Sequence, residues 1–338
     1  MKKCLYVAFL LIVSKGLVAQ DINFSQFYEL PLLRNPSLAG IFEGDIRITS
    51  AFRSQWGSVT TPYKTMALGA EVKFNVGQGD NFLTLGTQIT SDQAGDSKLN
   101  RSQLLPSLTF HKALGYDQNT YLSLGVMGGP VQQRFDASAL TFSDQFVNGA
   151  YSATNPTHQQ LPNSNVTYAD GAVGLTFSSA FGYNIKYYVG AALFHFTEPK
   201  VAFDQSHDVR LNRKMAVNVG LSIPTSDYDK MIVYGDFFTQ GGNRQMQGGF
   251  LFKHDLEQTG DDQGKAIYFG SFYRWDDAII PVVKLDFYPM SVGLTYDVNI
   301  SKLKSASQVR GGFELSLSYK SFLNIRNSSA EKVRCPSF

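Results

Sequence analysis

The sequence predicts an all-β fold, a transmembrane outer-membrane β-barrel of about fourteen antiparallel strands. Three observations carry that expectation. Met1–Ala19 reads as an export signal, with Lys2 and Lys3 before the apolar stretch Cys4–Val13 and small Ala19 before Gln20. From Asp45 to Phe322 the chain repeats short runs of alternating apolar and polar residues separated by turns. Beyond Gln20 no apolar run approaches the roughly 20 residues of a membrane helix. Lipid offers no hydrogen-bond partner to the backbone, so a chain without such helices crosses it only as a closed sheet.

The organisation follows as signal peptide 1–19, a segment 20–44, a barrel 45–322 and a tail 323–338. Gln20–Gly44 does not alternate, contains Pro31 and Pro36, and carries apolar side chains that need burial, Phe24 among them. It is expected to act as a plug inside or beneath the barrel, with Asn35, Pro36 and Gly40 forming tight bends. Strands are then expected at Asp45–Phe52, Lys64–Phe74, Phe82–Asp92, Leu99–His111 and Thr120–Arg134. Val166–Phe177, Tyr187–Phe196, Lys214–Ile223, Met231–Thr239 and Gln245–Phe252 follow. Lys265–Tyr273, Ala278–Asp286, Met290–Asn299 and Gly311–Phe322 complete the set.

Alternation assigns faces in several of them. Met66, Leu68, Ala70, Val72 and Phe74 oppose Thr65, Ala67, Gly69, Glu71 and Lys73; Met215, Val217, Val219, Leu221 and Ile223 oppose Ala216, Asn218, Gly220 and Ser222. Phe313, Leu315, Leu317 and Tyr319 oppose Glu314, Ser316, Ser318 and Lys320. Tyr268–Arg274 fits the alternation less well and yields no assignment. The long gaps Phe135–Asn165 and Thr197–Arg213 have the same parity and are expected outside. The opposite gaps are mostly tight, which places both termini on the periplasmic side.

Charge narrows the functions. Without Lys2, Lys3 and Lys15, 27 Lys and Arg face 28 Asp and Glu, so nothing suggests nucleic acid. Cys335 is the one cysteine after residue 20 and forms no internal disulfide. The five histidines are scattered without metal-ligand spacing, and pairing His195 with Ser178 is a weak basis for an enzyme. Asp261–Asp262 and Asp276–Asp277 read as solvated turns rather than calcium sites. No cofactor, metal or small-molecule substrate is expected.

Five stretches go beyond what a barrel requires. They are Gln20-Asp-Ile-Asn-Phe-Ser-Gln26, Asn35-Pro-Ser-Leu-Ala-Gly40, Phe52-Arg-Ser-Gln-Trp56, Phe269-Gly-Ser-Phe-Tyr-Arg-Trp-Asp-Asp-Ala278 and Gly293-Leu-Thr-Tyr-Asp-Val-Asn-Ile-Ser301. With Gly311-Gly-Phe-Glu314 and the closing Cys335-Pro-Ser-Phe338, their order resembles the PorP/SprF family of type IX secretion system outer-membrane proteins of Bacteroidetes-type bacteria. Ser37 and Phe52 depart from that pattern, where the family has Ala and Tyr. The resemblance implies a non-enzymatic part in exporting cargo that bears a C-terminal sorting domain, including adhesins used for gliding. Its implied partners are the secreted cargo, the secretion system's periplasmic ring and outer-membrane lipid.

In the expected topology Arg53, Gln55, Trp56, Arg274, Asp276, Asp277, Asp297 and Asn299 converge on the outer rim, where closure joins first and last strands. Trp and Arg are frequent interface anchors, so this rim is the candidate protein-binding site. A passive pore or hydrophobic-substrate channel with an N-terminal plug is the alternative function.

Overall fold

The computed structural model describes residues 21–55, 57, 61–77, 80–114, 119–147, 149–152, 154–159, 163–182, 184–204, 206–256, 264–301 and 310–323. The signal peptide, Trp56, Asp261, Asp262 and Cys335 lie outside them. Alternating stretches become strands because a pleat sends successive side chains to opposite faces, one to lipid and one to the lumen. In order these are β1 (Ile46–Gln55), β2 (Tyr63–Asn75), β3 (Phe82–Ala94), β4 (Leu99–Ala113) and β5 (Tyr121–Arg134). A small hairpin of β6 (Phe146–Val147) and β7 (Ala150–Tyr151) lies in the first long loop and was not expected from sequence. Next come β8 (Asn165–Phe181), β9 (Ile185–Phe194), β10 (Lys214–Pro224), β11 (Asp229–Gln240) and β12 (Asn243–Asp255). The last four are β13 (Lys265–Arg274), β14 (Ala278–Phe287), β15 (Met290–Asn299) and β16 (Arg310–Ser321).

All but the hairpin join one closed barrel of antiparallel neighbours, in which β1 pairs with β16 from Ile46↔Ser321 to Gln55↔Gly312. Each of the fourteen strands expected from alternation is present, and no sheet edge is left for lipid to meet. The outward faces carry exposed apolar side chains such as Met66, Leu124, Met215, Val283 and Phe313. Inward faces carry the polar residues, with Glu71, Lys73, Asn218, Asp236 and Glu314 all buried, and in β11 to β14 apolar ones as well, such as Tyr234, Leu251 and Ile280. The three face assignments read from alternation therefore hold.

β13 explains why its alternation was illegible. Tyr268, Phe272 and Arg274 point inward and are buried, while Phe269 and Tyr273 point outward and are exposed. Aromatic side chains occupy both faces because this part of the lumen is a packed core. Phe272 stacks on Tyr28 and meets Phe27 edge-on, with ring centroids 5.3 and 5.2 Å apart.

Phe27 and Tyr28 belong to residues 21–44, which run through the lumen. Pro31 starts a one-turn helix, Pro31–Arg34, and Pro36 starts a 3-10 turn, Pro36–Leu38, each at the position where a missing N–H costs nothing. Asn35 caps the second turn by accepting from the Ser37 N–H at 2.9 Å. Gly40 has φ of +78° and its N–H donates to Glu71 of β2 at 2.8 Å. Phe24, Phe27, Leu30, Leu32 and Leu38 are each 3% exposed or less. Full burial of such a side chain is worth about 1.5–3 kcal/mol, which offsets part of the cost of ordering the segment.

The direction of this segment corrects one expectation. Asp21 meets Arg101 near the start of β4 and Lys214 at the start of β10, both at the long-loop rim. The Asp45 N–H, by contrast, donates to the Ser321 carbonyl at the short-turn rim, where β16 ends. Residues 21 and 323 therefore lie at opposite ends of the barrel, not together on the short-turn side.

Candidate functional site

The lumen holds a train of buried charges, several of them matched between a strand and the N-terminal segment. At the long-loop end, Asp21 accepts from Arg101 Nη1 at 2.7 Å and from Lys214 Nζ at 3.1 Å, with His195 Nε2 at 3.5 Å. His195 Nδ1 lies 2.6 Å from Asp170 on β8. Burial alone would raise the Asp21 carboxyl, but Lys214, Arg101 and His195 together hold it well below the usual carboxylate range.

Ser25 and Gln26 sit in a second cluster. Both backbone N–H groups donate to the Glu314 carboxylate, at 2.7 and 2.6 Å. The Ser25 hydroxyl donates to Asp297 at 2.5 Å and accepts from Arg274 Nη2 at 2.8 Å. Arg53 bonds Asp297 at 2.7 Å and donates to the Asn23 carbonyl. The Gln26 amide oxygen accepts from Ser316 at 2.6 Å.

Deeper in, Arg34 makes a two-pronged bond to Asp236 of β11 at 2.6 and 2.8 Å, and Asn218 donates to the same carboxylate. Asn35 reaches Thr176 and the Ala191 carbonyl, and Thr109 donates to the Pro36 carbonyl at 2.8 Å. Glycines on the inner wall make this approach possible. A Cβ at Gly125 would lie 2.5 Å from the Pro36 carbon and the Ser37 nitrogen, and one at Gly174 would overlap Asn35 Oδ1. Glu29 pairs with Lys284 of β14 at 2.7 Å.

The structure brings most of the candidate rim residues together. Arg53, Arg274 and Asp297 are 3% exposed and gather around Asn23 and Ser25, while Asn299, 6% exposed, accepts from the Ser301 N–H at 2.9 Å. Gln55 lies beside Arg53, and with its amide oxygen turned inward accepts from Arg53 Nε at 3.2 Å. Asp277 bonds Arg274 at 2.9 Å and is half exposed. Asp276 stands apart, exposed in the β13–β14 turn with φ of +54° beside exposed Trp275. The plug candidates Phe24, Asn35, Pro36 and Gly40 are all buried within the lumen.

Sequence reasoning missed the partners: Glu314, Asp236, Glu71, and the Arg101–Lys214–His195–Asp170 set. Their signal was available as lone charges at inward-facing positions, Asp236 opposite in sign to Arg34, and Arg101 and Lys214 to Asp21. His195 and Ser178 do not meet. Ala172 of β8 pairs with Phe194, so Ser178 lies six residues further along, on the order of 20 Å away. Among the described residues no group of three or more His, Cys, Asp or Glu side chains could hold a metal ion.

Comparison with known proteins matches residues 17–319 to the family described as type IX secretion system membrane protein PorP/SprF. No curated protein matches. Among solved structures, a Pseudomonas aeruginosa FadL homologue is 9% identical over 85% of this chain and 92% of its own, with a TM-score of 0.48. The translocator domain of the autotransporter NalP from Neisseria meningitidis is 9% identical over 94% and 96%, with a TM-score of 0.42.

Proposed function

We propose, for a chain that belongs to the PorP/SprF family of type IX secretion system membrane proteins, that it is a docking barrel of that machinery. It engages secreted cargo, periplasmic ring components, or both at its rims, and conducts neither. Its seat is the outer membrane, where a closed barrel with an apolar outer wall leaves no sheet edge unpaired. One observation carries the docking reading: residues 21–44 traverse the lumen and bond to inward side chains of β1, β2, β4, β8, β11, β14 and β16. A polypeptide crossing this lumen would have to displace those bonds. The same occupancy argues against the passive-pore alternative.

With the long loops outside, the rim candidates divide in two. Arg53, Arg274 and Asp297 are engaged with the N-terminal segment and shape the rim from within. Trp275 and Asp276 stand exposed beside them and are the available contacts for a partner, with Trp56 next to Gln55 in sequence. Tagged protein pulled from outer membrane should bring down secretion-system proteins and a cargo. Trp275→Ala with Asp276→Ala should reduce surface display of that cargo several-fold while heat-modifiable gel migration stays normal. Full display in that variant rejects the outer rim as the cargo contact.

A further inference from the structure

The long loop 195–213 begins with a strained turn. Two of its first four residues, His195 and Glu198, have φ of +57° and +45°, in the left-handed region that side chains rarely adopt. No other turn among the described residues holds two non-glycine residues there. The Glu198 N–H donates to the His195 carbonyl at 3.0 Å, and the His195 N–H to the Gly171 carbonyl of β8 at 2.9 Å. Backbone of this kind persists only where its surroundings hold it, and it gathers in switch regions.

The His195 side chain, 3% exposed, supplies the hold. Its Nδ1 lies 2.6 Å from Asp170 of the barrel wall, and its Nε2 3.5 Å from Asp21 of the N-terminal segment. The second is a charge contact without a hydrogen bond, so it is the half that gives way first. The charged and titratable groups around the imidazole are Asp21 from the segment, Asp170 and Tyr168 from β8, Arg101 from β4 and Lys214 from β10. Burial alone would lower the imidazole, but its bonds to Asp170 and Asp21 raise it above the ordinary histidine value.

Beyond the turn the loop closes on itself. The Leu211 N–H donates to the Pro199 carbonyl at 3.0 Å, the Val201 N–H to the Val209 carbonyl at 2.9 Å, and Arg213 pairs with Glu198 at 3.1 Å. Val201 and Leu211 pack on the apolar cluster that holds Leu32 and Ala39 of the segment. The loop therefore meets the core around the segment by packing, and Asp21 by charge.

We propose that His195 latches the outer loop 195–213 to the N-terminal segment, so that the turn His195–Glu198 and the seat of Asp21 open and close together. An event at the outer loop is thereby felt inside the lumen, and the coupling works equally in reverse. The latch is closed while His195 carries its proton. Its contribution is full below the ordinary histidine value of about 6.5 and is lost as pH rises through the higher folded value. Arg101 and Lys214 remain on Asp21, so a neutral His195 loosens the seat without emptying it. The latch goes beyond the docking role and needs no partner to operate.

The test uses full-length Cys335→Ser protein in detergent, spin-labelled at Val209→Cys in the loop or at Ile22→Cys in the segment. Electron paramagnetic resonance reads the mobile fraction of each label. Both fractions should rise together about threefold between about pH 6 and about pH 9, with one midpoint. A label at Phe146→Cys, in the other long loop, should not change. His195→Gln keeps a donor for Asp170 but cannot titrate, and should abolish both transitions. Asp21→Asn should free the Val209 label at about pH 6 already, with folding checked by heat-modifiable migration. A Val209 label unmoved by Asp21→Asn overturns the latch. So does a transition absent from wild type, one that survives in His195→Gln, or separate midpoints for the two labels.

Discussion

Arg34 shows how single residues hold the lumen together. Its guanidinium is 4% exposed, bonded twice to Asp236, and lies 5.0 Å from the Phe27 ring centre. Removing one partner of such a pair leaves a buried charge unmatched, at a cost of about 3–5 kcal/mol. Asp21 is the matching contact at the long-loop end, and its chemistry sets a pH limit. Its folded carboxyl titrates well below the ordinary aspartate value, so its stabilisation is present above that value and lost as pH falls through the lower one. The part of the protease protection of residues 21–44 that Asp21 supplies should therefore be lost on acidification only below about pH 4, and Asp21→Asn should lack it at pH 7 already. Equal protection of wild type and Asp21→Asn at pH 7 would contradict the assignment of Asp21 as an ionised anchor.

The N-terminal segment is the element on which the account turns, and the inner glycines are its mould. Gly174→Val puts a side chain where Asn35 Oδ1 now lies, and the turn Pro36–Leu38 must leave its seat. The ladder from Gly174 to Gly125 and Ala192 is unaffected, because valine suits a strand. The expected outcome is a barrel with normal heat-modifiable migration whose residues 21–44 are cut at least several times faster by protease. Unchanged cleavage would mean that Asn35 is not seated by this wall.

The strands were legible because their alternation is a local property of the chain, and the lipid outside enforces it. Met66 through Phe74 and Met215 through Ile223 read correctly for that reason. β13 did not read, since Tyr268 and Phe272 face a packed core rather than water. The burial of Phe24 and Leu38 followed from their need for a partner, and so did the bends at Pro36 and Gly40. The ion pair Arg34–Asp236 and the hydrogen bond from the Ser25 N–H to Glu314 did not follow, because each joins residues more than 200 positions apart. The direction of the segment was missed for the same reason. Nothing local to Asp21 shows that it reaches Arg101 and Lys214 at the far rim.

At the scale of the whole molecule, a fourteen-stranded wall alone would enclose a space between the filled small barrels and the open large ones. Residues 21–44 run inside that space, between two rims. One carries the long loops with Trp275 and Asp276, the other the short turns. Docking at rims rather than passage through the lumen is the central claim, and single-channel conductance in planar bilayers tests it directly. Wild type should conduct little or nothing, and deletion of Phe24–Gly40 should open a steady ohmic pore in an otherwise intact barrel. Equal conductance in wild type and deletion would show that the segment does not close the lumen and would return the protein to the class of passive channels.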